Sequence, residues 1–266
     1  MLYLRLLSAL IGIPIIIGAV YLGGPWYAVL LLIVANLGMF EYSSMLKARG
    51  YRIPLTIGFL GVSLMLTVIY IEQANFFYPL IMLIFLILFV NALFSMNRSS
   101  VAESAVSFWG IIYLGGFCGY MLMLRMVPDG ALFTYILLLG VWIHDTAAYF
   151  IGKKWGMRKF APLISPNKSV EGSIAGILTT VVIFFSAVIL IPEVMPVSPG
   201  QSVVLGLGIS VFAQVGDLLE SALKRQLEVK DSGSIIPGHG GILDRFDSLL
   251  LTAPFVYYFF ILIRIL

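Results

Sequence analysis

Long uncharged runs follow one another along this chain, and they decide what it can fold into. Leu6 to Phe40 holds no Asp, Glu, Lys or Arg for 35 residues. A helix needs about 20 apolar residues to cross the hydrocarbon core of a bilayer. This run is broken at Gly23-Gly24-Pro25, so it predicts two helices. Ile53–Ile71, Gln73–Asn97 and Ser104–Leu124 predict three more, and Gly130–Ile151 a sixth, interrupted by His144 and Asp145. Ser173–Pro192 and Val194–Gly216 flank the Pro-rich turn PEVMPVSPG, and Ser248–Ile263 is a short ninth. Backbone amides in lipid must be satisfied within their own segment, so spans of this length are helical. The expected fold is an all-α polytopic membrane protein with about nine transmembrane helices.

Composition agrees. The 266 residues are 61% hydrophobic and 11% charged, with a mean hydropathy of +1.05, against roughly 25% charged in a soluble domain. A water-soluble fold of this size has too much surface to hide so many apolar residues. The N-terminal stretch MLYLRLLSALIGIPIIIGAVYLGG has a weak basic start and no small-residue cleavage signal, and further spans follow. It is expected to be a retained helix.

Lys and Arg placement orients the chain. With the N-terminus in the cytoplasm, nine alternating spans put Arg5, Lys47, Arg49, Arg52, Arg98, Lys153, Lys154, Arg158, Lys159, Lys168, Lys224, Arg225, Lys230 and Arg245 inside. Only Arg125 and Arg264 fall outside, a split of 14 against 2. The net charge of +3 is too small to argue for nucleic acid. The single cysteine, Cys118, forbids an intrachain disulfide and reads as a buried thiol. Two distant histidines, His144 and His239, do not argue for zinc.

Charge is concentrated. Residues 145–171 carry seven charged side chains and 217–247 carry ten, so 17 of 29 lie in two windows on the expected cytoplasmic side. This divides the chain into an N-terminal transmembrane scaffold, residues 1–130, and a C-terminal catalytic region, residues 131–266. The first five helices show no recognisable chemistry and are expected to serve as scaffold, lipid contact or homodimer packing.

The second window reads GDLLESALKRQLEVKDSGSIIPGHGGILDRFD. Asp217, Glu220, Ser221, Lys224 and Glu228 recur at three- and four-residue spacing, which places them along one helical face. Salt bridges within a helix end, such as Glu220 to Lys224, account for part of this pattern. A loop with Gly233, Gly238, Gly240, Gly241 and His239 follows, and glycines let backbone N–H groups approach an anion closely. Asp244, Arg245 and Asp247 then open the last helix. Carboxylates for a hard divalent cation, Lys224, Arg225, Lys230 and Arg245 for phosphates, and a glycine loop between them suit a nucleoside triphosphate with magnesium. Glu220, Asp247 and Asp145 are further candidate cation ligands, although Asp247 also suits a helix's first turn on electrostatic grounds alone.

The stretch from Ser221 to Asp247 resembles the signature of the phosphatidate cytidylyltransferase (CDP-diacylglycerol synthase) family. It agrees at Ser221, Lys224-Arg225, Lys230-Asp231, Gly233, Pro237, His239-Gly240-Gly241, Asp244-Arg245 and Asp247. In the first window, SPNKSVEG is similar to a second family motif, S-P-x-K-[ST]-x-E-G, and singles out Lys168 as a phosphate contact. Glu171 is expected to cap the seventh helix. Lys153, Lys154, Arg158 and Lys159 read as a positive anchor facing anionic headgroups.

The resemblance implies that CTP and phosphatidic acid give CDP-diacylglycerol and pyrophosphate at the inner face of the bilayer. It implies a magnesium ion on Asp217 and Asp244, with room for a second cation. Lys224, Arg225, Lys230 and Arg245 would neutralise the triphosphate, with Ser221, Asp231, His239, Gly240 and Gly241 as further substrate contacts. The main rivals are another CTP-dependent lipid phosphotransferase and a secondary transporter. A transporter would show two related halves with broken helices, and no such repeat is visible. The D-G-x2-A-R-x8-G-x3-D-x3-D pattern of CDP-alcohol phosphatidyltransferases is absent.

Overall fold

The computed structural model describes residues 2–94, 101–236, 238 and 240–265; Arg98, Pro237 and His239 lie outside them. Ten α-helices follow in chain order: α1 Leu2–Leu22, α2 Gly24–Ala48, α3 Leu55–Tyr70, α4 Ala74–Phe94, α5 Val101–Ile111, α6 Phe117–Met126, α7 Gly130–Trp155, α8 Val170–Leu190, α9 Pro199–Gln226 and α10 Leu243–Ile265. A π-helical turn, Ile112–Gly116, joins α5 to α6 into one rod. Among the described residues, seven helical rods are long and apolar enough to cross a membrane, and α1 and α3 contribute shorter apolar stretches. Each of the nine expected spans falls on one of these rods.

Local chemistry sets the ends. Gly23 and Gly24, both at positive φ (61° and 47°), make the turn between α1 and α2, with Pro25 in the first turn of α2. Arg125 closes the same turn, its Nε donating to the Val20 carbonyl at 2.7 Å. The eighth expected span begins later than the sequence indicated, at Pro199. There the Ser198 and Gln201 side chains and backbone amides bond reciprocally as a capping box, at 2.8 and 3.3 Å. The last helix is longer than its uncharged run. It starts at Leu243, ahead of the run that begins at Ser248, so Asp244, Arg245 and Asp247 open it as the sequence indicates, where the helix dipole favours acids.

The expectation of an all-helical chain needs one local amendment. Between α7 and α8 the chain forms an antiparallel hairpin of β1 Lys159–Ala161 and β2 Ser165–Ser169, with Lys159 opposite Ser169 and Ala161 opposite Ser165.

The chain divides into two compact units, Met1–Pro128 with Gln226–Phe246, and Asp129–Arg225 with Asp247–Leu266. The first is centred on α2, where Leu31, Ala35 and Met39 are buried, with Val62 and Met65 of α3, Leu114 and Cys118. The cysteine is free and buried, as its apolar setting indicated. The second unit is built on Leu137, Ile209, Ala213, Ala253 and Val256, with Phe133 stacked on Phe260 at a centroid distance of 3.8 Å. Helices α4 and α8 keep large apolar side chains outward, among them Met82, Leu86, Phe94, Ile174, Leu178 and Val182. That is the surface a hydrocarbon solvent permits.

Small residues set how closely α7 and α8 approach. A methyl group on Gly172 would stand 2.6 Å from the Ala148 carbonyl oxygen and 3.0 Å from the Gly152 Cα, both backbone atoms. Gly18, by contrast, has open space where its side chain would be. Gly172→Ala should therefore destabilise the detergent-solubilised protein by about 1–3 kcal/mol, and Gly18→Ala should not destabilise it. Thermal denaturation of the two variants checks this.

Candidate active site

Each unit holds a polar cluster. In the second unit it is built on the last turns of α9. Asp217, Glu220, Ser221 and Lys224 share one face there, as their spacing predicts. Lys224 Nζ meets Glu220 Oε2 at 2.6 Å, and both side chains are buried. The Ser221 hydroxyl donates to Asp217 Oδ1 at 3.2 Å. Glu228, expected to continue this face, does not: the helix ends at Gln226 and Glu228 turns away at φ 51°.

The hairpin delivers the key partner. Lys168, on β2, places its Nζ 2.6 Å from Asp217 Oδ2, with both side chains about a third exposed or less. Arg225 holds the hairpin's turn, its Nε donating to the Ile164 carbonyl at 3.1 Å. The two ends of β2 are thus tied to α9 two helical turns apart. Ser169 caps α8 by accepting from the Gly172 amide at 3.1 Å. Glu171 does not close a capping box as expected. Its carboxylate accepts instead from the amides of Met157 and Arg158 at 3.1–3.2 Å, which anchors the start of the hairpin. Lys153, Lys154, Arg158 and Lys159 are exposed, and Lys154 lies over the Trp155 ring at 4.5 Å. That suits side chains reaching from a helix end into a headgroup layer.

Asp247 enters from α10. It is buried, its Oδ1 accepts from the Ser248 amide at 2.7 Å, and it feels the charges of Asp217, Glu220 and Asp145. Gly216 makes this approach possible. A methyl group there would stand 2.5 Å from the Asp247 carbonyl oxygen and 3.1 Å from the Ser248 Cα. The Gly-Asp pair at 216–217 is therefore a packing device as well as a carboxylate.

In the first unit the glycine loop is organised by two carboxylates. Asp244 Oδ2 accepts from the Ser232 amide (3.1 Å), the Ser232 hydroxyl (3.0 Å) and the Gly241 amide (2.9 Å). Gly240 adopts φ 86°. The second carboxylate is Glu41 of α2, 1% exposed, which accepts from the Ile242 and Leu243 amides and competes with Asp244 for the Ser232 hydroxyl proton. Sequence reasoning assigned no chemistry to the first five helices and missed it. The available signal was a carboxylate inside an apolar helix with no basic residue three or four positions away. Two of the four glycines expected to approach a phosphate, Gly233 and Gly241, pack against Glu41 instead. Lys230, Asp231 and Arg245 are exposed, and His239 is outside the described residues.

Magnesium takes one or two protein carboxylates and completes its shell with water and substrate phosphate. Among the described residues no three His, Cys, Asp or Glu side chains are grouped as a ready-made metal cage. The second unit instead sets carboxylates beside lysines. Asp145, Asp217 and Glu220 all act electrostatically on buried Asp247, and two lysines, Lys168 and Lys224, pair with members of the group.

Apolar helices with carboxylates and lysines clustered at their polar ends are what an integral membrane protein handling a charged substrate requires. Residues 3–263 match the model of the cytidylyltransferase family, and the chain belongs to that family. The phosphatidate cytidylyltransferase of Bacillus subtilis (strain 168) is 32% identical over 262 residues, covering 96% of each chain. That of Synechocystis sp. (strain ATCC 27184 / PCC 6803 / Kazusa) is 33% identical over 289 residues, covering 97% of this chain and 96% of its own. That of Staphylococcus aureus (strain COL) is 33% identical over 253 residues, covering 94% and 95%.

Because Gly216 is packed against backbone, Gly216→Ala should push Asp217 away from Asp247 and lower transferase activity about tenfold or more. Activity of the purified, folded variant against the parent measures it.

Proposed function

We propose that this protein transfers CMP from CTP to phosphatidic acid, releasing pyrophosphate and forming CDP-diacylglycerol, with its site at the cytoplasmic face of the bilayer. The observation that carries the reading is the ion pair between Lys168 and Asp217. It puts a lysine ammonium beside a carboxylate, charges that a phosphate and a divalent cation could each take up, in a family whose curated relatives are phosphatidate cytidylyltransferases. The orientation rests on the 14 to 2 distribution of basic residues. All nine apolar rods would cross the membrane.

The lipid phosphate is already ionised at neutral pH, so its oxygen attacks the α-phosphorus without a strong general base. A bond forms from that oxygen to the α-phosphorus. The bond from the α-phosphorus to the bridging oxygen breaks, and pyrophosphate leaves with the electron pair. The chain's task is to bring two polyanions together, by positioning and charge stabilisation. Lys168 binds the lipid phosphate, and in doing so it releases Asp217 to face a cation. Lys224, Arg225, Lys230 and Arg245 supply positive charge to the triphosphate and the leaving pyrophosphate. A magnesium ion held by Asp217, with Asp247, Glu220 and Asp145 as neighbouring carboxylates, would polarise the α-phosphate. Asp244, in the first unit, is proposed as a further carboxylate ligand, and a second cation belongs to the same reading. The exposed basic residues 153–159 hold the hairpin against anionic headgroups.

Purified protein given phosphatidic acid, magnesium and CTP labelled at the α-phosphate should yield a chloroform-soluble labelled lipid, and chelation should abolish it. Label confined to water-soluble nucleotide, with γ-label reaching the lipid, would instead identify a lipid kinase. Asp217→Asn should lower turnover by about 100-fold or more while the protein stays folded and membrane-inserted; normal turnover rejects the cation assignment. Lys154→Ala, which removes an exposed charge, should cost much less activity than Lys224→Ala. Equal losses would mean the triphosphate is misplaced.

A further inference from the structure

A carboxylate buried in an apolar helix needs partners, and Glu41 finds its own about two hundred residues along the chain. Its Oε1 accepts from the Ile242 amide at 2.9 Å, and its Oε2 from the Leu243 amide at 3.0 Å. These amides open α10, so α2 supplies the cap of a helix it does not adjoin in sequence, at the end where the dipole favours negative charge. The Ser232 hydroxyl lies 3.1 Å from Glu41 Oε2 and 3.0 Å from Asp244 Oδ2. It has one proton and donates to one carboxylate at a time. The fit is close. A methyl group on Gly233 would stand 2.6 Å from Glu41 Oε1, and one on Gly241 would collide with both Ser232 Oγ and the Glu41 carboxylate.

Eight residues further along the chain, at the end of α2, Arg49 makes a matching contact. Its Nε donates to the Leu227 carbonyl at 2.8 Å, and its guanidinium pairs with Glu228, where the chain leaves α9 at positive φ. One helix therefore grips this segment at two places: residues 227–228 through Arg49, and Ser232 with Ile242–Leu243 through Glu41.

We propose that Glu41 is a positioning residue for nucleotidyl transfer. With Arg49, it makes α2 a clamp that holds the glycine loop and the start of α10 in the conformation that receives the triphosphate of CTP. The inference rests on assigning this segment to CTP. Glu41 touches no reacting atom and acts through Ser232, Gly241 and Asp244. A cap that only stabilised the fold would affect both substrates alike. A positioning residue acts on the one its loop holds.

The test is Glu41→Gln in the full-length protein, which keeps the shape but loses the charge and turns one acceptor toward a backbone N–H as a donor. Losing a charged acceptor of buried amides should lower kcat/KM for CTP about tenfold. The KM for phosphatidic acid should stay within about twofold, and hydrogen exchange should quicken at the Ile242 and Leu243 amides. Ser232→Ala, a milder change that keeps Glu41 on its two amides, should move the same quantities less, and the double variant should lose less than the sum of the two. Glu41→Asp, one methylene shorter, should recover part of the CTP efficiency. Unchanged exchange at those amides with wild-type kinetics overturns the proposal. So does an equal rise in both KM values with a lowered melting temperature, which marks a structural role alone. Faster exchange with a raised KM for phosphatidic acid only overturns the assignment of the segment to CTP, and this inference with it. The labelled-lipid assay of the parent protein stays a separate test of the reaction.

Discussion

Hydrocarbon does not solvate charge, and most of this structure follows from that. In water an exposed lysine or carboxylate needs no partner. In a chain that is 61% hydrophobic, each ionisable group near a helix core must be paired or carried to an end. The ten helices obey this. Charges leave the apolar rods at turns, at the hairpin and at the glycine loop. Those that remain buried are bonded: Glu220 to Lys224 within α9, and Glu41 to the amides opening α10. The polar clusters are not decorations on a finished scaffold. They are the places where the membrane's demand for pairing and the substrate's need for charge coincide.

The same constraint explains the division of labour in the second unit. The hairpin is the one described stretch of sheet, and it is where backbone leaves helical geometry near the polar end of α9. It is tied to α9 through Arg225 and Lys168 and to its own start through Glu171. Lys168 is therefore held by a hydrogen-bonded element rather than by a free loop. The pair it forms with Asp217 is partly exposed, so exchanging that partner for a ligand involves little desolvation.

Family membership accounts for the reaction, and physical chemistry accounts for why these residues serve it. A phosphate nucleophile needs little base catalysis, and what the chain offers is clustered cations, carboxylates and a shaped loop. The glycines have a packing role. Gly216 lets α9 meet the backbone of α10, and Gly233 and Gly241 let a carboxylate from α2 enter the loop. Substituting any of them changes what side chains approach, before any ligand is bound.

Much of this was legible in the amino-acid sequence. The spacing of uncharged runs predicted each helical rod, because transfer of a residue to lipid is a local property that a window of about 20 residues reports. Lys and Arg placement predicted an orientation, and the motif from Ser221 to Asp247 pointed to the family. The shared face of Asp217, Ser221 and Lys224 followed from helical periodicity alone. Other features needed the tertiary structure. One helix start was misjudged where a cap decided it, at Ser198. The short hairpin lacked a hydrophobic period to announce it. The pairing of Lys168 with Asp217, the displacement of Glu228 toward Arg49 and the bond from Glu41 to Leu243, 202 residues away, had no local trace. Hydropathy and periodicity record what one segment prefers in its solvent. Which buried charge meets which distant amide is decided only when the helices pack.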